Sequence, residues 1–294
     1  MFSKTNSLEN DIHAKLSAEL EQALLKSFDA IRSLHDALGA EGQKVDRLNQ
    51  FGESALRMDW DAEEIYIANF KALGHSFRLV SEEHGDVAYG DKPIYTLVLD
   101  GIDGTLVYKS ERGTGCYGSM AGTFLGAAPR YQDYLASGFT ILSPQWRSFT
   151  CRPGKGCAIF QGIESSGLRV LEQSSKPISD WVCSTLEFPQ AVKEQIKMEV
   201  LTKFPGTALR SMAAEYARIL NGETDFFLDF THKSNLEQMI AFGVLLEAGA
   251  GIFTLDGKSI AYQSYDAFGQ SSQIPLLVLG DPSQLNKFLE LIKK

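Results

Sequence analysis

The chain has 294 residues, 44% hydrophobic and 22% charged, as in a globular protein with room for two packed subdomains of ~150 residues. Its 28 basic and 37 acidic residues leave a net charge of −9 without a Lys/Arg block, which disfavours a nucleic-acid partner. No apolar run reaches the ~18 residues of a membrane span. The polar start is unlike a signal peptide, and the four cysteines form no CxxC or Cys/His pattern, so a cytoplasmic chain with reduced thiols is expected.

Residues 7–38 place Leu16, Leu20, Ala23, Leu24, Phe28, Ile31 and Leu34 at helical spacing before Gly39, which predicts one long amphipathic helix. Residues 42–52 read as a polar loop. A second helix is predicted over 61–73, ended by Gly74, and a short strand over 77–80 that runs into Ser81-Glu82-Glu83. The apolar, β-branched run from Tyr95 reads as a buried strand, and Asp100-Gly101-Ile102-Asp103-Gly104-Thr105 follows directly as a turn. Alternation and turn residues over 117–162 predict an antiparallel sheet with strands near 120–125, 135–142, 147–151 and 157–160. Beyond residue 175 helices are predicted at 189–204, 211–220, 236–248 and 283–292, and strands at Val182, 225–229, 252–255 and 276–279. The alternation places an α/β half (176–294) beside an α+β half (1–175) that holds most of the candidate metal ligands.

Buried carboxylates are costly unless protonated, paired or bound to a metal. Asp100 and Asp103, with a glycine after each, suit a hard cation, and the Gly104 and Thr105 amides beside it could take a phosphate. Glu82 and Asp100 both follow apolar strands, so neighbouring strands can bring them to one sheet edge. On pattern alone, solvated surface acids fit these positions equally well. Gly101 stands two residues before Asp103, where an aspartyl-phosphate enzyme needs its nucleophile, which rejects that design. Gly113 to Gly118 matches G-x-G-x-x-G but lacks the strand before it and the helix after it, and no full Walker A pattern occurs. In the second half Glu237 opens a helix that ends at Glu247-Ala248-Gly249; a first-turn Glu ordinarily complements the helix dipole. His232, Lys233 and Arg210 are nearby candidates for an anion contact.

Together Ser81-Glu82-Glu83, Asp100-Gly-Ile-Asp103-Gly-Thr105 and Leu236-Glu237…Glu247-Ala-Gly resemble the inositol monophosphatase family, whose superfamily includes fructose-bisphosphatases and 3′-phosphoadenosine nucleotidases. Ser143-Pro144, Phe149-Thr150, Gly154-Lys155-Gly156-Cys157-Ala158, Arg210-Ser211 and Gly222…Asp225 fit the connecting segments. The resemblance implies a five-layer αβαβα fold and a Mg²⁺-dependent phosphomonoesterase, possible as a homodimer, without nucleic-acid or membrane partners. It implies Glu82, Asp100, the Ile102 carbonyl, Asp103 and Glu237 as metal ligands, and Asp59 as an outer metal residue. Gly104 and Thr105 amides would hold phosphate, Glu82 and Thr105 would orient a metal-activated water, and Asp229 falls near a sugar-hydroxyl contact. The default substrate is inositol monophosphate. The alternatives are a sugar bisphosphate, a 3′(2′),5′-bisphosphate nucleotide, or a non-catalytic relative that binds a phosphorylated ligand. Departures are Gly101 for Pro, which reads as a loosened turn, Leu236-Glu237 for Trp-Asp, and Leu106-Val107-Tyr108 for a segment beginning Asn-Phe.

Overall fold

The computed structural model describes residues 3–49, 52, 54–161, 164–171, 176–185, 201, 203–204, 206, 209–229, 236–268 and 274–293. Helix α1 (Ser3–Leu38) presents Leu16, Leu20, Leu24, Phe28 and Ile31 as one buried stripe and stops at Gly39, whose φ of 54° suits a residue without Cβ. A hairpin of β1 (Val45–Leu48) and β2 (Ser54–Leu56) then leads into helix α2 (Arg57–Lys71). Strand β1 falls within the stretch 42–52 read as loop, β2 just after it, and α2 starts four residues before the expected 61. Val45 and Leu48 are 50% and 63% exposed, so β1 carries no buried alternation to read.

The large sheet contains β3 (Phe77–Ser81), β4 (Gly85–Tyr89), β5 (Tyr95–Asp103), β6 (Tyr117–Leu125), β7 (Tyr134–Ser143), β8 (Arg147–Cys151), β9 (Cys157–Gln161) and β10 (Glu164–Arg169), in the order 10-9-8-7-6-5-3-4. Strands β6 to β9 form the expected antiparallel run, whereas β3 and β5 are parallel, with Ser81 opposite Leu99. The small sheet contains β11 (Cys183–Thr185), β12 (Phe226–Asp229), β13 (Gly251–Thr254) and β14 (Leu276–Leu279), in the order 11-12-14-13.

Alternation along the strands sorts their side chains into the layers. Leu97 and Leu99 face the cluster under α1 and α2, while Val98 faces the cluster between the sheets. There helices α4 (Met212–Asn221) and α5 (Leu236–Ala248) are packed, following the short α3 (Thr105–Glu111) in chain order. Phe227 and Val278 close this middle layer, and Phe226, Leu228, Leu277 and Leu279 face the opposite way. After the one-turn α6 (Tyr265–Phe268), helix α7 (Leu285–Ile292) covers that outer face with Phe288. Five layers result, helix-sheet-helix-sheet-helix, as the resemblance implied. Helix α5 is apolar on nearly every side because sheets flank it on both sides.

Among the described residues no helix is long and apolar enough to cross a membrane, and all four cysteines are free. The glycine-rich segment before β6 is a turn, and Gly257-Lys258-Ser259 lies in a turn closed by Thr254 N–H donating to the Lys258 carbonyl at 2.9 Å. The helix expected at 189–204 falls almost wholly outside the described residues.

Candidate functional site

The site begins with a register fault in β5. Asp100 pairs with Met120 and Asp103 with Gly118, so Gly101 and Ile102 together oppose the single residue Ser119. In an unbroken strand, side chains three apart point to opposite faces. The bulge inserts one extra residue and returns Asp103 to the face that Asp100 occupies. Both acids are buried, and the first-turn Glu237 of α5 meets them from the neighbouring layer. One carboxylate oxygen from each of Asp100, Asp103 and Glu237 lies within 4.8 Å of the others.

Asp103 is fixed by the start of α4. Its Oδ2 accepts from the Ser211 hydroxyl at 2.5 Å and the Ala213 amide at 2.7 Å, and its Oδ1 accepts from the Met212 amide at 3.0 Å. Burial pushes its carboxyl up, while Ser211 and the two amides pull it back. Ser211 is also the N-cap, accepting from Ala214 N–H, and Arg210 before it has φ 61°, the one positive φ outside glycine among the described residues. Gly104 (φ 86°) allows close approach here: a Cβ on it would stand 2.8 Å from Ser211 Cβ. Replacing Ser211 by Ala is expected to lower the melting temperature by a few degrees, since it removes a cap of about 1 kcal/mol. It should also weaken divalent-cation binding roughly tenfold by loosening Asp103, measured by titration calorimetry.

Asp100 and Glu237 carry raised pKa values. Burial is the leading cause for both; Glu82, Asp103, Glu237 and Asp59 add to it at Asp100, and Asp103, Glu82 and Asp229 add to it at Glu237. Parallel pairing of β3 with β5 brings Glu82 beside Asp100, as expected, yet Glu82 stands outside the group of three and acts on it through its field. Asp59, in the first turn of α2, is buried and raised by that burial and by Glu83, Glu82 and Glu63, while the Ile102 amide at the bulge partly offsets the rise. Such crowding of like charge with an all-oxygen donor set fits a hard divalent cation such as Mg²⁺.

Other expected residues take different positions. The Thr105 hydroxyl donates to the Ile102 carbonyl at 2.9 Å, so in this structure that carbonyl is an acceptor for Thr105. Asp229 ends β12 and accepts from the Gln238 side-chain amide. Gly101 lies inside β5 and loosens no turn: a Cβ there would stand 2.3 Å from the Asp59 carbonyl oxygen, because α2 presses on the bulge. The Glu247-Ala-Gly motif is structural, since Glu247 accepts from Tyr134 Oη and Gly154 N–H at 2.7 Å and from Gly156 N–H at 2.8 Å. It joins two segments of the sequence pattern away from the acids. His232 and Lys233 lie outside the described residues.

Residues without a sequence signal complete the surroundings. Glu63, fully buried on α2, gathers Ser81, Glu83 and His84, and the His84 ring lies 4.0 Å from Trp60. Burial pulls the His84 pKa down, but hydrogen bonds to Glu63 and Glu64 outweigh it and leave the pKa raised. Nothing in the sequence separates buried Glu63 from its exposed neighbour Glu64.

No protein-family model matches the chain, and no curated protein is significantly similar to it. Solved structures do match along almost its whole length. A hypothetical protein from Pyrococcus horikoshii with similarities to inositol-1 monophosphatase superposes with a TM-score of 0.64 at 21% identity, covering 90% of this chain and 96% of that one. Leishmania major fructose-1,6-bisphosphatase gives 0.71 at 14% identity, with 93% and 92% covered. The inositol monophosphatase of Anabaena gives 0.63 at 16% identity, with 92% and 94% covered. The bulged strand, the helices between two sheets and the outer helical layers therefore make up the mixed α+β fold of the inositol monophosphatases and fructose-1,6-bisphosphatases.

Proposed function

We propose that the chain is a Mg²⁺-dependent phosphomonoesterase acting on a small phosphorylated polyol, with inositol monophosphate as the default substrate. The observation that carries this reading is the bulge that turns Asp100 and Asp103 to one face, where Glu237 meets them within 4.8 Å. Asp100, Asp103 and Glu237 would hold the cation, with Glu82 and the Ile102 carbonyl as further ligands and Asp59 serving an outer position. When bound, Mg²⁺ supplies Lewis acidity toward phosphoryl and leaving-group oxygens.

The chain's own groups do the rest. The Gly104 and Thr105 amides would hold the phosphate, and Glu82 with Thr105 Oγ would orient the attacking water for in-line displacement. Asp103 is held in place by the three donors of Ser211, Met212 and Ala213, which partly offset the rise that burial gives its carboxyl. Asp229 would turn from Gln238 to a substrate hydroxyl.

A sugar bisphosphate is the second reading, favoured by Glu at position 237. That side chain is one methylene longer than the Asp of inositol monophosphatases, and the superfamily's fructose-bisphosphatases use Glu there.

The test is phosphate release from inositol, sugar and nucleotide phosphates with Mg²⁺ and after chelation. We expect release only with Mg²⁺, fastest on a polyol or sugar phosphate, and its loss in Asp103→Asn with the fold retained. Metal-independent release, or full activity in Asp103→Asn, would refute the assignment.

A further inference from the structure

Glu63 is a carboxylate with no exposure to solvent, placed on α2 one turn after Asp59. A buried carboxylate can take its hydrogen bonds from any donor in reach. This one directs both oxygens at the residues bracketing Glu82. Oε2 accepts from the Ser81 hydroxyl at 2.8 Å and the His84 amide at 3.1 Å, and stands 2.6 Å from His84 Nδ1. Oε1 accepts from the Glu83 amide at 3.2 Å. The imidazole is held from its far side, with Nε2 2.9 Å from Glu64 Oε1 and the ring 4.0 Å from that of Trp60, and the Arg47 guanidinium lies over the Trp60 ring at 4.4 Å.

We infer that Glu63 is a positioning residue of the acidic site, fixing the backbone of residues 81–84 so that Glu82 is aimed at the cation before the cation arrives. The inference rests on the phosphatase reading. Its physical basis is the repulsion between consecutive acids at 82 and 83 and the carboxylates of Asp59 and Asp100 that they face. Without restraint, that repulsion would swing the turn outward, and each binding event would have to draw it back. The Ser81, Glu83 and His84 donors to Glu63 hold the turn inward. Outer hydrogen-bond partners of this kind typically change metal affinity by about 10–100-fold.

The variant is Glu63→Gln, which keeps the side chain's shape but points an amide donor at groups that already donate. Mn²⁺ alone is the probe, titrated by calorimetry into the full chain, alongside the Mg²⁺ dependence of phosphate release. We expect Mn²⁺ to bind about 10–100-fold more weakly and the Mg²⁺ activation midpoint to rise by a similar factor, with kcat at saturating Mg²⁺ largely kept. Should Glu63→Gln not fold, Ser81→Ala removes one of the donors and gives the same shift in smaller measure.

Glu247→Gln is the control for a merely structural effect. It also breaks the hydrogen bonds of a partly buried carboxylate, but about 15 Å along α5 from Glu237. It should lower the melting temperature and leave Mn²⁺ affinity unchanged. Unchanged affinity in both Glu63→Gln and Ser81→Ala, or an equal loss in Glu247→Gln, overturns the positioning role. A wild-type chain that binds no Mn²⁺ overturns the phosphatase reading instead.

Discussion

Replacing Asp100 by Asn should cut Mg²⁺-dependent phosphate release by at least ~10³-fold, equivalent to about 4 kcal/mol of transition-state stabilisation, while raising the melting temperature of the metal-free protein. The two effects share one cause. Asp100 is buried, and Glu82, Asp103, Glu237 and Asp59 all push its carboxyl toward the neutral form. At neutral pH an ionised Asp100 therefore works against folding whenever no cation compensates it. Asn fills the same space without the charge, so the metal-free fold gains what the repulsion cost. The same removal deprives a divalent cation of one anionic oxygen. Wild type should then gain several degrees on adding Mg²⁺, since ligand at 100 times its Kd adds ~2.7 kcal/mol, and the variant should gain almost nothing. Thermal scans with and without Mg²⁺, together with a phosphate-release assay, check all of this. A variant that melts lower than wild type without metal would mean that Asp100 is satisfied within the protein, and the site would not be built for a cation.

The sequence spelled out the parts of the site whose chemistry is local. Glu82, Asp100 and Asp103 follow apolar strands, and Glu237 opens a helix so uniformly apolar that its bounds, Leu236–Ala248, are legible in the chain. How these acids meet was less legible. A spacing of three between Asp100 and Asp103 looks like a turn after a strand, and only the pairing of β5 with β6 makes it a bulge within one. The role of Ser211 was open to reading as an N-cap, a serine directly before Met212-Ala213-Ala214, but nothing local joins that cap to Asp103, 108 residues earlier. Glu63 is hidden for another reason. In a helix with acids at 59, 61, 63 and 64, burial depends on which side faces the sheet, and rotating α2 by about 100°, the step between adjacent residues, would exchange Glu63 with Glu64. The exposed β1 and β4 and the three-residue β2 are too short or carry too few buried positions for any period to emerge.

Gly101 is where sequence and structure differ most in consequence, and Gly101→Ala should damage both stability and activity. The added Cβ would stand 2.3 Å from the Asp59 carbonyl oxygen and 3.1 Å from both Asp59 C and Glu63 Cγ. The nearest atom is backbone, so no side-chain rotation relieves the contact; α2 must back away from the bulge. Overpacking of this kind costs about 1–3 kcal/mol. The displacement would carry Asp59 and Glu63 with it, loosening the hydrogen bond from Ile102 to Asp59 and those from residues 81–84 to Glu63. A shift near 1 Å at such a site can cost on the order of 10²-fold in rate, so activity should fall further than the melting temperature alone predicts. Gly74→Ala separates the two effects. Gly74 has φ 74° with open space around it, just beyond the far end of α2, so Ala there costs about 1–2 kcal/mol of backbone strain without reaching the acids. If the pair lose similar stability yet only Gly101→Ala loses phosphate release, the close seat of α2 on the bulge sets the site. Equal loss of activity in both would reduce Gly101 to a packing residue.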